Sequence, residues 1–439
     1  MPKTSHTQTK TPRSRWQRLP LQAAALTVAA GLTLSGCSTT ADSASAGNTV
    51  ASATGTTVAS AIDSSTTEDS SSTEQTITDT TAAIETFLAT LSDEQRETVM
   101  YDYDDETKST SWSNFPVTFV DRAGLNLADL TEEQQAAALD VMESLLSEES
   151  YSTLVGIMEG DQYLLDNSST TEDSLGQYCI AFFGDASTTD AYAVQFGGHH
   201  VGINADLNGA ENAITFAPTH LGVQPAVYTN ENGEEVQPFD GIYTDAFAFY
   251  DSLSAEQQET LTSGEVTMCA PGDTCDYSSG EGLTGAELND EQKELLLELI
   301  ANWAGMADEE TNEANLAEIE ATLDDTVIAW SGETTYDMST GDGISFSISG
   351  PNVYVAFQAQ NGSAGADVEG VTTSGWGHVH SIYRDPTNDY ANSVEQQEAT
   401  GGMGGGMPSG DMPAGGPGEG EMPSGDMPSG DIPDTTEES

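Results

Sequence analysis

The stretch Gly375-Trp376-Gly377-His378-Val379-His380-Ser381-Ile382-Tyr383 sets the reading of the whole chain. Aromatic and β-branched residues fill it and glycine bounds it, which predicts a β-strand. Successive strand residues point to opposite faces, so His378 and His380 share one face. Two imidazoles on one face, met by histidines from a second strand, are a common way to build a three-histidine metal site.

Strand-like segments of the same kind lie on either side. One group covers 177–183, 191–205, 213–216 and 223–228, and a second covers 326–330, 343–349, 353–358 and 375–383. Helical stretches precede and separate them. Four helix starts share a pattern: Leu91-Ser92-Asp93-Glu94-Gln95, Leu130-Thr131-Glu132-Glu133-Gln134, Leu253-Ser254-Ala255-Glu256-Gln257 and Leu288-Asn289-Asp290-Glu291-Gln292. Each sets a capping Ser, Thr or Asn three residues before a Gln that reaches back to the cap amide. Acidic residues between them face the positive end of the helix dipole. The recurrence fits either a duplicated helical unit or convergence on a good helix start. Helices followed by meander-like strands predict an α+β fold with a largely antiparallel sheet.

The ends carry different instructions. Lys3, Lys10, Arg13, Arg15 and Arg18 precede an apolar run from Leu21 to Leu34, too short for an ordinary membrane span. That pattern predicts an export signal over 1–36. Leu34-Ser35-Gly36-Cys37 has the form of a bacterial lipobox, which predicts cleavage before Cys37, lipidation of its sulfur and a membrane anchor outside the cytoplasm. Residues 37–78, rich in Ser and Thr, read as a flexible tether, and 79–395 as the folded domain. From 396 to 439 the chain is Gly, Pro, Met and acid, with Met-Pro-Ser-Gly-Asp at 407–411, 422–426 and 427–431, the composition of a disordered tail.

The chain has 73 acidic and 10 basic residues. Beyond the signal only Arg96, Lys108, Arg122, Lys293 and Arg384 are basic. Such a surface repels phosphate backbones and excludes nucleic acid as a partner. Cys269 and Cys275 bracket a turn-prone Ala-Pro-Gly-Asp-Thr loop, and in an exported protein they predict a small disulfide loop. Cys179 lies in an apolar run and reads as a buried free thiol.

The runs Phe196-Gly197-Gly198-His199-His200-Val201-Gly202-Ile203-Asn204 and His378-Val379-His380 through Arg384-Asp385-Pro386-Thr387-Asn388-Asp389-Tyr390 resemble two signatures of a bacterial family, domain of unknown function 3500. Trp112-Ser113-Asn114-Phe115-Pro116, the acidic helix starts, Phe183-Gly184 and Ala329-Trp330-Ser331-Gly332 follow in that family's order. The resemblance covers about 80 to 392 and implies no activity. At Thr219-His220-Leu221-Gly222 the chain departs from it, with histidine where an aromatic is usual.

Three readings of the histidines follow. In the first, His378 and His380 bind a divalent metal with His199 or His200, and Asp206, Asp385 or Asp389 supplies a carboxylate to a ligand or its distal nitrogen. Adjacent strand residues diverge, so both His199 and His200 can ligate only where Gly197-Gly198 breaks the strand. Imidazoles in an exported protein suit zinc or copper, and zinc with an open position supports hydrolysis. A non-enzymatic module that binds metal or a small ligand is the competing class. In the second reading, Arg384 shares the face of His378 and His380 and binds an anionic substrate, with His200 as acid or base held by Asp385. In the third, the histidines hydrogen-bond within a polar core and Arg384 pairs with Asp385 or Asp389.

Overall fold

The computed structural model describes residues 71–262, 266–272, 275–277 and 281–396. The expected signal, Cys37, the tether as far as residue 70 and the tail from 397 on lie outside the described residues. Helix α1 (Ser72–Thr90) starts inside the stretch expected to be tether. Ser71 caps it, and Thr73, Ile77, Thr80, Thr81, Ile84 and Phe87 form its buried face. Helical structure is thus present ahead of the expected boundary at 79, where threonines carry part of a face that apolar counting overlooks.

The remaining helices are α2 (Asp93–Val99), α3 (Thr107–Thr110), α4 (Glu132–Leu145), α5 (Glu148–Asn167), α6 (Asp240–Ser252), α7 (Ala255–Thr260), α8 (Asp290–Ala304) and α9 (Glu309–Glu320). The strands are β1 (Met100–Tyr101), β2 (Leu125–Asn126), β3 (Cys179–Phe183), β4 (Ala191–Gly197), β5 (Val201–Asn208), β6 (Ala213–Thr215), β7 (Thr219–Val223), β8 (Tyr228–Thr229), β9 (Glu235–Val236), β10 (Leu283–Thr284), β11 (Val327–Gly332), β12 (Ile344–Ser349), β13 (Tyr354–Gln360) and β14 (Gly375–Arg384).

All four sequence-marked starts form capping boxes, at Ser92, Thr131, Ser254 and Asn289. The boxes also interlock in pairs. Gln134 Nε2 donates to Thr90 O at 3.0 Å and to Gln95 Oε1 at 3.1 Å. Gln292 Nε2 donates to Ser252 O and to Gln257 Oε1, each at 2.9 Å. The chain thus builds one unit twice: a helix (α1, α6), a short capped helix (α2, α7), a short strand (β2, β10) and a long capped helix (α4, α8). Each is followed by another helix (α5, α9) and an antiparallel meander.

The two meanders join in one twelve-stranded sheet of order β1-β3-β4-β5-β7-β14-β13-β12-β11-β10, with β2 on β3 and β6 on β5. The pairs are antiparallel apart from β1 with β3, so the largely antiparallel α+β expectation holds. Their junction is β7 against β14, with Gly222 opposite His380 and His220 opposite Ile382. This one pairing brings the two histidine patches side by side.

The sheet has two unlike faces. Ile180, Phe182, Phe196, Ile203, Leu221, Val379, Phe357 and Ile348 join helix residues such as Ile84, Met142, Leu299 and Trp303 in the main core. Trp303 fixes the layer spacing by donating from Nε1 to Ser381 Oγ at 2.9 Å. The opposite face carries Gln195, Asn204, Asp206, His220, His378, His380 and Arg384, all buried. Irregular chain covers it, including Trp112 and the Cys269–Cys275 disulfide, which forms as the spacing predicts. Burying that much polarity requires partners for each group. Cys179 is unpaired, and burial pushes its thiol up to about 11, leaving little thiolate to act as a nucleophile.

Candidate metal centre

Strand β4 stops at Gly197 and β5 starts at Val201, so Gly198, His199 and His200 form the turn between them. Gly198 N–H donates to Val201 O at 2.8 Å and closes it. A Cβ at Gly198 would meet Gln177 O at 2.4 Å, so only glycine fits. Because the pair sits in a turn, both imidazoles point the same way. Their rings stack with centroids 4.3 Å apart. His378 and His380 project toward them from β14, and strand alternation gives them one face as expected.

His199, His200, His378 and His380 are 6, 0, 5 and 2 % exposed. One ligand atom from each of His199, His200 and His380 lies within 4.8 Å of the others, close enough to hold a metal ion. His378 Nε2 stands 3.2 Å from His380 Nε2. Gly222 makes this crowding feasible, since a Cβ there would meet His200 Cδ2 at 3.2 Å and His380 Cδ2 at 3.3 Å.

The outward nitrogens face acceptors. His200 Nδ1 lies 2.6 Å from Asp161 Oδ1, His199 Nδ1 lies 2.7 Å from Glu172 Oε1, and His378 Nδ1 lies 2.7 Å from Asn361 O. His199 Nδ1 has no hydrogen-bond partner among the described residues. A carboxylate or a carbonyl only accepts, so Nδ1 of His200 and of His378 carries the hydrogen. In a neutral ring that leaves the Nε2 lone pair free. His200 Nε2 is buried with no protein partner. Tyr178 donates to the other Asp161 oxygen at 2.6 Å and Ser174 donates to Glu172, so the acceptors are themselves fixed.

Burial lowers His378 to about 3 and takes His380 well below the usual imidazole range. It also lowers His199, with the neighbouring His200 charge adding to it. Burial acts on His200 too, but Asp161 outweighs it and raises that ring. Burial works to raise Glu172, and the neighbouring His199 ring and Ser174 hold it at about 2.

His220 stands apart. Its Nδ1 lies 2.8 Å from Ser381 O and its Nε2 lies 3.1 Å from His199 O. Burial lowers this ring to about 3, so it is neutral and donates to one carbonyl while facing the other. It braces β14 against the histidine turn.

The structure moves the other sequence candidates elsewhere. Arg384, fully buried, donates from Nε to Asp389 Oδ2 at 2.7 Å and from Nη1 to Cys269 O, so its guanidinium serves an internal ion pair. Asp385 accepts from Thr387 N–H, Thr387 Oγ1 and Asn388 N–H at 2.8–3.1 Å, closing the turn after β14. Asp206 pairs with Lys108. The carboxylates behind the imidazoles are thus Asp161 and Glu172 rather than Asp206, Asp385 or Asp389, because strand and helix packing, not sequence proximity, sets the second layer.

Asp161 had a signal in the sequence. It falls on the apolar stripe of α5 with Leu154, Ile157 and Leu164, where a lone acid needs a buried partner. Glu172 sits in irregular chain and had none. Arg122 was also overlooked. Its guanidinium donates to Gly198 O at 2.7 Å, Phe115 O at 2.6 Å and Ser113 O at 2.8 Å, clamping the turn that carries His199 and His200.

Fold and site define a mixed helix-and-sheet protein with a buried histidine cluster spaced to hold a metal ion. The chain belongs to the family described as protein of unknown function (DUF3500), whose model matches residues 73–392. No curated protein matches it, and no solved structure does.

Proposed function

We propose that this is an exported, lipid-anchored protein whose domain binds one divalent metal ion, zinc or copper, through His199, His200, His378 and His380. One observation carries the reading. Asp161 and Asn361 O accept from the Nδ1 of His200 and His378 and turn their Nε2 atoms inward, and Glu172 stands beside His199. Without a ligand, His200 Nε2 has no partner and the His378 and His380 Nε2 atoms face each other. Two nitrogens on one tetrahedral zinc stand about 3.3 Å apart, which matches their 3.2 Å separation. An all-imidazole donor set suits zinc and copper and disfavours calcium or magnesium.

Four buried imidazoles favour a closed, non-enzymatic binding module. Metal-dependent hydrolysis is the second reading, favoured by the tighter grouping of His199, His200 and His380 without His378. Bound metal would supply Lewis acidity there. The lipobox form of Leu34-Ser35-Gly36-Cys37 supports lipidation and a surface location, and the excess of acid argues against nucleic acid.

Elemental analysis of wild type against His378→Ala/His380→Ala after zinc or copper loading tests the centre. About one equivalent in wild type and near none in the variant is expected. Near-zero metal in both would remove the reading. X-ray absorption then separates the classes, with four nitrogen neighbours for the module and an oxygen neighbour for the hydrolase.

A further inference from the structure

The polar face of the sheet holds a second buried group, at the far end of β5 and about 20 Å along the strand from His200. Lys108 on α3 places Nζ 3.2 Å from Asp206 Oδ1, with the two side chains 1 and 2 % exposed. Nζ also donates to Ser393 Oγ at 2.7 Å and lies 4.0 Å over the Tyr103 ring centroid and 5.5 Å from that of Phe183. Tyr103 in turn bears on the Asp206 carboxyl. The surroundings are apolar: Phe183, Ala181, Ala193 and Ala123 pack together beside it, and Ala193 pairs with Asp206 across the strands.

An ion pair in such a place is costly. Burial lowers the Lys108 ammonium despite Asp206, and raises the Asp206 carboxyl despite Lys108. Both shifts favour the neutral partners. A lysine nitrogen held at 3.2 Å from an aspartate oxygen, with both side chains buried among aromatic rings, brings together the two partners of an amide condensation.

We propose that Lys108 and Asp206 condense into an intramolecular isopeptide bond. The Nζ lone pair attacks Asp206 Cγ and forms the C–N bond. One nitrogen hydrogen and the carboxyl hydroxyl leave as water when the C–O bond breaks. Ser393 Oγ, already hydrogen-bonded to Nζ, relays the proton to the departing hydroxyl. No oxidant or second substrate is required. The product amide keeps an N–H for Ser393 and leaves neither side chain ionisable in these apolar surroundings. It closes a 98-residue separation and ties the chain before Trp112 to the central sheet.

The molecule contains its own controls. Arg384 beside Asp389 is as deeply buried, but a guanidinium keeps its proton and does not acylate. Lys293 beside Asp324 is 28 and 67 % exposed, where solvent competes for both groups and no cage holds them together. The inference is independent of the metal reading.

Peptide mapping of the folded full-length chain by mass spectrometry tests it. The expected product is one branched peptide joining Lys108 to Asp206, lighter than its two parts by one water, about 18 Da. Lys293 and Asp324 should appear unlinked. Amine acylation of the denatured protein should label Lys293 and spare Lys108. Recovery of Lys108 and Asp206 in separate, unmodified peptides, with Lys108 labelled, would overturn the proposal. Both readouts use wild type, so neither depends on a variant folding. Lys108→Arg and Asp206→Ala should abolish the branched peptide, and its persistence in either would also overturn the assignment.

Discussion

His200 donates through Nδ1 to Asp161 at 2.6 Å, in a place where neither residue meets solvent. The acid reaches the ring from helix α5, and Tyr178 donates to its second oxygen at 2.6 Å. That contact fixes the tautomer and aim of the central imidazole. Asp161→Asn should therefore lower metal affinity about 10- to 100-fold, measured by competition with a chromophoric chelator. An unchanged affinity would mean that His200 does not ligate.

Gly222 tests the packing of the cluster. A methyl group there would stand 2.9 Å from Val379 O and press on His200 and His380. Gly222→Ala should cost about 1–3 kcal/mol in urea denaturation and weaken metal binding. Gly241→Ala, in α6 with its nearest contact at 3.5 Å, should do neither.

Arg122 has a purely geometric task. Its fork donates from Nε to Gly198 O, from Nη1 to Val120 O and from Nη2 to Phe115 O, three directions that a single lysine ammonium cannot span. Arg122→Lys should lose about 2 kcal/mol or more in urea denaturation. Metal affinity should fall with it, since the freed Gly198 carbonyl begins the His199-His200 turn. Full affinity in the variant would show that the turn holds without the clamp.

Asp308 links acid stability to the first helix. Its carboxylate accepts from Ser72 at 2.7 Å, Thr76 at 3.0 Å and Thr311 N–H at 3.1 Å. Burial works to raise this carboxyl, but these bonds outweigh it and hold it below its usual 3.8. A depressed folded value stabilises above the unfolded value and loses that contribution as pH falls through the folded one. The melting temperature of wild type should thus exceed that of Asp308→Ala by a constant margin above about pH 5, and the margin should shrink below about pH 3.8. A pH-independent margin would place the effect in helix capping alone.

Much of the fold was legible. Capping boxes mark helix starts because the cap, its acids and the reaching glutamine lie within a few residues. Strand alternation put His378 and His380 together for the same local reason. The 191–205 segment read as one strand, and the structure breaks it at Gly198 because a hairpin turn needs that glycine against Gln177 O. Arg384 read either as a substrate contact beside the histidines or as the partner of Asp385 or Asp389, and it is buried against Asp389; charge scarcity in a sequence does not separate the two.

The sequence by itself determined the elements, the disulfide loop, the family and the two histidine pairs, because each depends on residues near one another along the chain. Only the tertiary structure decided that the pairs share one site. That rests on β7 pairing with β14, a contact between residues about 160 apart whose register no local pattern encodes. The same packing chose Asp161 and Glu172 as the acids behind the rings, left His220 to the backbone, and set Lys108 against Asp206.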